Sequence, residues 1–145
     1  MDFEIDATEF FVKIDRIDAR VTKAAHNAVE KSVQDLETIA TNIAPIDTST
    51  LRRSASSRVV DRGNRFSRQV IGEVGFSATE YSPGYGAFNY AIWTHEYTYN
   101  LGPQSRAAGG YAGYPVGNKY LTRPLRGEAK KYHRWWSDAI REATK

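Results

Sequence analysis

Apolar residues return every three or four positions through the first third of this chain, and that repeat limits the folds open to it. They fall at Phe10, Ile14, Ile17, Val21, Ala24 and Ala28, then one position out of step at Val29, Val33, Leu36, Ala40 and Ile43. Such spacing predicts one amphipathic helix over 7–43. Asp6 and Glu9 stand at capping-box spacing at its start, and Ile5 and Phe10 at the spacing of a hydrophobic staple. Pro45 ends it. The slip is the drift of a straight helix or a kink near His26 and Asn27, both modest helix formers. At about 1.5 Å per residue this helix would run roughly 55 Å, whereas a globule of this size should be roughly 35–40 Å across. It must kink or project, and a projecting stripe needs a partner to bury it. Val21 and Val33 on that stripe are therefore candidate interface residues.

Composition narrows the chemistry. A length of 145 residues suits one domain, 1–145, with one core. Cysteine is absent, which removes disulfides, thiolate nucleophiles and Cys-ligated zinc or iron–sulfur clusters. Asp2, Glu4 and Asp6 are the reverse of a secretory n-region, and no apolar run reaches the length of a membrane span. A net charge of +3 is too mild to demand nucleic acid as a partner. The charge is unevenly spread: −5 over 1–50, +3 over 51–118 and +5 over 119–145. An acidic first third and a basic remainder either attract copies of the chain head to side or are solvated surface.

The middle of the chain predicts strands in the region 54–97. Arg58-Val59-Val60 leads into the turn cluster Asp61-Arg62-Gly63-Asn64, and a second strand runs from Phe66 to Phe76. Phe88, Tyr90, Ile92 and Trp93 mark a third strand over 87–97. Residues 98–118 show neither a helical nor a strand period. They hold five glycines, the tyrosines Tyr99, Tyr111 and Tyr114, and one charge, Arg106. The reading is a long loop, either a plain excursion or a segment that is mobile alone and orders against a partner. A second helix is predicted over 123–143, with Thr122 or Arg123 as cap, Pro124 in its first turn, and an apolar face from Leu125 to Ala143.

Tests for catalysis fail one by one. His95-Glu96 opens like a zincin motif, but Tyr99 stands where its second histidine belongs. His26 and His133 have no ligand at helical spacing. No Gly-x-Ser-x-Gly occurs, and Gly113 to Lys119 matches a phosphate loop only loosely. No catalytic residue, cofactor or metal ligand is assigned, and the chain is read as a non-enzyme. Nucleic-acid binding is the alternative. Arg52, Arg53, Arg58, Arg62, Arg65 and Arg68 form the densest basic cluster, opposed only by Asp61, and guanidinium groups suit phosphate. Aromatic neighbours for base stacking are few.

Three segments together resemble a family. Ile43-Ala44-Pro45-Ile46-Asp47-Thr48-Ser49-Thr50-Leu51-Arg52-Arg53-Ser54 is similar to the A-P-x-D-T-G-x-L-R-x-S stretch of tail-completion proteins of long-tailed bacteriophages, also called minor capsid, neck or head–tail joining proteins. Ser49 stands where that pattern has glycine. Tyr90-Ala91-Ile92-Trp93-Thr94-His95-Glu96 resembles the family's Y-A-x-Y-x-H-E strand. Gly117-Asn118-Lys119-Tyr120-Leu121-Thr122-Arg123-Pro124-Leu125 resembles the G-x-K-Y-L-x-R-P-L lead into its last helix. The segments come in family order.

The resemblance implies an α+β fold, a small antiparallel sheet flanked by a long N-terminal and a C-terminal helix. It implies a homo-oligomeric ring, six copies as a rule, in the virion neck. The partners would be a head-closure or neck protein and the tail tube or tail terminator, with DNA passing through the ring and no membrane contact. It makes Pro45, Asp47, Thr48, Leu51, Tyr90, His95, Glu96, Lys119, Tyr120, Leu121 and Pro124 structural. Asp47 and Thr48 would bond their own turn, Tyr90, Trp93, Tyr120 and Leu121 would be core, and His95-Glu96 would orient the long loop. Tyr99, Arg106, Tyr111 and Tyr114 on that loop are the remaining interface candidates.

Overall fold

A computed structural model describes residues 5–14, 19–46, 50–64, 68–77, 79–82, 86–89, 95–96 and 101–145. The fold is α+β. In chain order the elements are β1 (Ile5–Ile14), α1 (Ala19–Ile43), α2 (Thr50–Arg53), β2 (Ser56–Gly63), β3 (Arg68–Phe76), β4 (Thr79–Ser82), β5 (Gly86–Asn89), α3 (Pro103–Ala107) and α4 (Thr122–Ala143). One antiparallel sheet has the order β1-β3-β2, and β4 pairs with β5 in a second.

The expected helix over 7–43 is corrected at its start. Residues 5–14 are a ten-residue strand, and the helix begins at Ala19. The cause is arithmetic. Phe10 and Ile14 are four apart, and four residues return to the same face in a strand as well as in a helix. The β-branched and aromatic run Thr8, Phe10, Phe11, Val12 and Ile14 favours the pleated form. Asp6 and Glu9 accordingly cap nothing; they stand in the strand. Pairing runs from Thr8↔Val74 to Ile14↔Arg68, with a register shift between Ile5 and Thr8. The shortened helix has 25 residues, about 37 Å at 1.5 Å each, which fits within the domain. The length mismatch that called for an outside partner is gone.

The stripe of α1 is spent inside the chain. Val21, Ala25, Val29, Val33, Leu36, Ala40 and Ile43 follow at helical spacing, all buried. They meet Val70, Val74 and Phe76 from alternate positions of β3, and Tyr132 and Trp136 from α4. Val21 and Val33 are therefore core, at 7 % and 1 % exposure, not interface residues.

The hairpin expected between 54 and 77 is present, pairing Ser56↔Gly75 through Gly63↔Arg68. Asp61, Arg62 and Gly63 belong to β2 and not to the turn. The third strand is shorter than expected. β5 ends at Asn89, Tyr90 to Thr94 lie outside the described residues, and His95-Glu96 are helical. Its partner β4 was not anticipated. The last helix starts one residue early, at Thr122, and its N-cap position is Leu121 with no side-chain cap bond.

The described part of the expected loop, 101–118, has structure of its own. Pro103–Ala107 is a helical turn. Tyr111 and Tyr114 exchange both backbone hydrogen bonds at 2.9 Å around a two-residue turn. Its central residues, Ala112 and Gly113, have φ of 52° and 87°, as a type I′ turn requires. Tyr114 then lies over α4, where a Cβ at Gly127 would meet its hydroxyl at 1.8 Å.

Leu36→Ala should lower stability by about 2–5 kcal/mol. Val33→Glu should leave the isolated chain unfolded, because it buries an unpaired carboxylate. Urea titration followed by circular dichroism measures both; a folded Val33→Glu protein would mean that this face is not core.

Candidate functional site

An α-helix ends with four carbonyls that have no partner within it. In α1 this end is largely buried: Ile43 and Ala44 are fully so, and Thr41 and Asn42 are half-buried. Arg52 satisfies two of the acceptors there. Its Nε donates to the Ala44 carbonyl at 2.8 Å and its Nη2 to that of Asn42 at 3.1 Å. The Gly117 amide donates to the Ile43 carbonyl at 3.0 Å. A cation at a helix C-terminus also opposes the negative end of its dipole. Leu51, 1 % exposed, packs α2 into the core so that Arg52 can reach. Pro45 is buried, and the Ile46 amide donates to Ser105 Oγ at 2.9 Å.

A second joint adjoins it. Lys119 donates its amide to the His95 carbonyl at 2.8 Å, and its Nζ pairs with Glu96. His95 is 1 % exposed. Its Nδ1 lies 2.9 Å from Glu96 Oε1, so the carboxylate fixes the proton on Nδ1. Nε2 faces Thr122 Oγ1 at 3.5 Å, and the ring meets Tyr120 edge-on at 5.0 Å. With Nδ1 donating to Glu96 and the whole ring buried, no edge is open to a substrate. The pair acts as a brace. Burial pulls His95 below its ordinary value of 6.5, against the opposing pull of Glu96. Hydrogen bonds from Lys119 and His95 lower Glu96.

Lys119 takes a φ of 53°, a left-handed conformation unusual for a residue with a Cβ. Its two bonds to the 95–96 turn hold it there. Arg123 Nε donates to the Asn118 carbonyl at 2.9 Å, which closes the lead into α4. Tyr120, Leu121 and Pro124 are buried beside it. The three sequence segments singled out above thus meet at one end of the molecule, as far as they are described; Asp47, Thr48 and Tyr90 lie outside the described residues.

The described arginines close in sequence do not all reach one surface, although Arg58 and Arg62, four apart on β2, are exposed on the same face. Arg52 turns inward to cap α1, where burial lowers its pKa. Arg58 pairs with Glu73, whose side chain is 7 % exposed. Arg68 is half-buried, with a buried Nε that has no partner among the described residues. Asp61 Oδ1 sits 3.3 Å from His26 Nδ1. Arg53 and Arg62 are exposed, and Arg65 lies outside the described residues. Of the loop candidates, Arg106 and Tyr111 are exposed, Tyr114 packs on the core, and Tyr99 lies outside the described residues.

Sequence reasoning missed Ser105 and the polar pairs in the seam between α1 and α4, and it offered Thr122 as a helix cap rather than as the neighbour of His95. In that seam Trp136 Nε1 donates to Ser32 Oγ at 2.9 Å, and Tyr132 donates to Asp35 Oδ2 at 2.8 Å. Burial and the Asp35 carboxylate push the Tyr132 hydroxyl far above its ordinary value. A single sequence carries no signal for such pairs, which are about a hundred residues apart. No family model matches the chain, and no curated protein or solved structure matches it.

Two outcomes test the brace. His95 has a depressed folded-state pKa, so its contribution to stability is present above about pH 6.5 and is lost as the pH falls below that value. Glu96 acts the same way only below about pH 4.5. Urea midpoints measured from pH 7.5 to 5 should therefore fall, and the slope should flatten in His95→Gln. Lys119→Val should cost about 1–3 kcal/mol through backbone strain and the lost ion pair, and Lys119→Gly less, as thermal melts would register.

Proposed function

We propose that this chain is a structural virion protein that forms a ring, six copies in the family pattern, at the head–tail joint of a long-tailed bacteriophage. The ring joins the head-closure or neck complex to the tail tube or tail terminator, and DNA passes through it without sequence-specific contact. One observation carries the reading. The three segments that resemble tail-completion proteins are scattered in sequence yet interlock through Gly117 to Ile43 and Lys119 to His95. Residues spent on building one joint suit a structural part. The brace has its histidine buried and bonded, and it offers no substrate an entrance.

Nucleic-acid binding through Arg52 to Arg68 has less support, because Arg52 and Arg58 are engaged with Ala44, Asn42 and Glu73. Native mass spectrometry of the purified protein, alone and mixed with candidate neck and tail proteins, tests the proposal. A multi-copy closed species, unchanged by chelator or nuclease, is the expected result. A chain that stays monomeric in every mixture, or that binds DNA with a steep salt dependence, would overturn it.

A further inference from the structure

The α1–α4 seam is filled along only part of its length. Gly127, Lys131, Trp135, Asp138 and Glu142 follow at three- and four-residue intervals and share one flank of α4. At the first end of this flank Tyr114 lies over Gly127. Two turns further along, the seam opens into a groove of about 600 Å³ lined by Ala24, Ala28, Trp135, Ala139 and Ala143. Alanines leave it a shallow, open depression, and the Trp135 indole gives it an aromatic wall. Lys31, Asp138 and Glu142 also line it. Lys31 Nζ already sits 4.0 Å over the Trp135 ring. The two carboxylates are well exposed and hold only surface partners, Arg141 and Lys145.

The turn described above presents a matching side chain. Tyr111 is 42 % exposed, an exposed large hydrophobic among the described residues. It stands beside Ala112, whose φ of 52° makes the turn a strained one. The segment 101–118 carries Arg106 as its single charge, opposite in sign to Asp138 and Glu142. A tyrosine hydroxyl on a carboxylate is already used in this seam, by Tyr132 and Asp35.

Resting on the ring reading above, we infer that the groove receives Tyr111 of a neighbouring copy, as Tyr114 covers the Gly127 stretch of α4 within the chain. Tyr111 and the groove are different patches, so the contact is heterologous. A heterologous contact whose rotation closes makes a ring.

The chain has no cysteine, so an introduced pair reports cleanly. Tyr111→Cys with Ala139→Cys in one chain should give a ladder of disulfide-linked multimers under mild oxidant. The two single variants mixed should stop at dimers, and neither single variant should crosslink alone. Tyr111→Ala, at an exposed site, should fold normally yet weaken self-association by at least about tenfold, while Tyr111→Phe weakens it less. Homodimers of either single cysteine variant would overturn the inference in favour of a two-fold contact. No crosslink in the double-cysteine variant, while the wild-type protein does oligomerise, would overturn this seam and leave the ring standing. A wild-type chain that is monomeric throughout would sink both.

Discussion

The buried C-terminus of α1 is the constraint on which the rest of the molecule depends. Leaving buried carbonyls of this kind unpaired costs about 1–3 kcal/mol each. Arg52, just past the helix, and Gly117, just before α4, meet that demand. The connection after the helix must therefore double back, and the segment before α4 must pass close by. Once Gly117 is in place, Lys119 lies within reach of the 95–96 turn. The same placement sets where α4 begins. The order of the elements in space follows from one helix end seeking partners.

Along its length α1 does a second job. One side packs on β3 and the other on α4, so almost all of its apolar stripe is consumed within a single chain. Two polar groups are admitted to the helix seam, Ser32 and Asp35, each bonded to a ring on α4. Such pairs specify how the two helices align, because a shift of one turn would strand both donors in the core. The small residues beyond them leave the helix pair with an open end.

How much was legible in advance differs by element. The β2–β3 hairpin and the C-terminal helix were readable because their signals are local: a β-branched run from Val70 to Phe76 after a turn cluster, and a long apolar face with Pro124 in its first turn. The strand at 5–14 was not, since Phe10 and Ile14 satisfy both periodicities. The arginine run was legible only as a run: Arg58 and Arg62 share a face of β2, whereas Arg52 turns back to cap α1, a contact that closeness in sequence does not show. Of the brace, the residues His95, Glu96 and Lys119 could be picked out beforehand, but their mutual contact could not.

The sequence by itself determined the helical and strand-forming stretches whose periodicity is local, the absence of thiol chemistry, and the residue types available to cap and to pair. Local preference acts over a few residues and is written in their order. The tertiary structure alone decided that Arg52 is a cap, that Val21 and Val33 are core, that His95 is closed off, and that α1 and α4 leave a groove open. Each of these depends on groups from distant parts of the chain arriving at one place, and that arrival is set by the burial of the whole core rather than by any single segment.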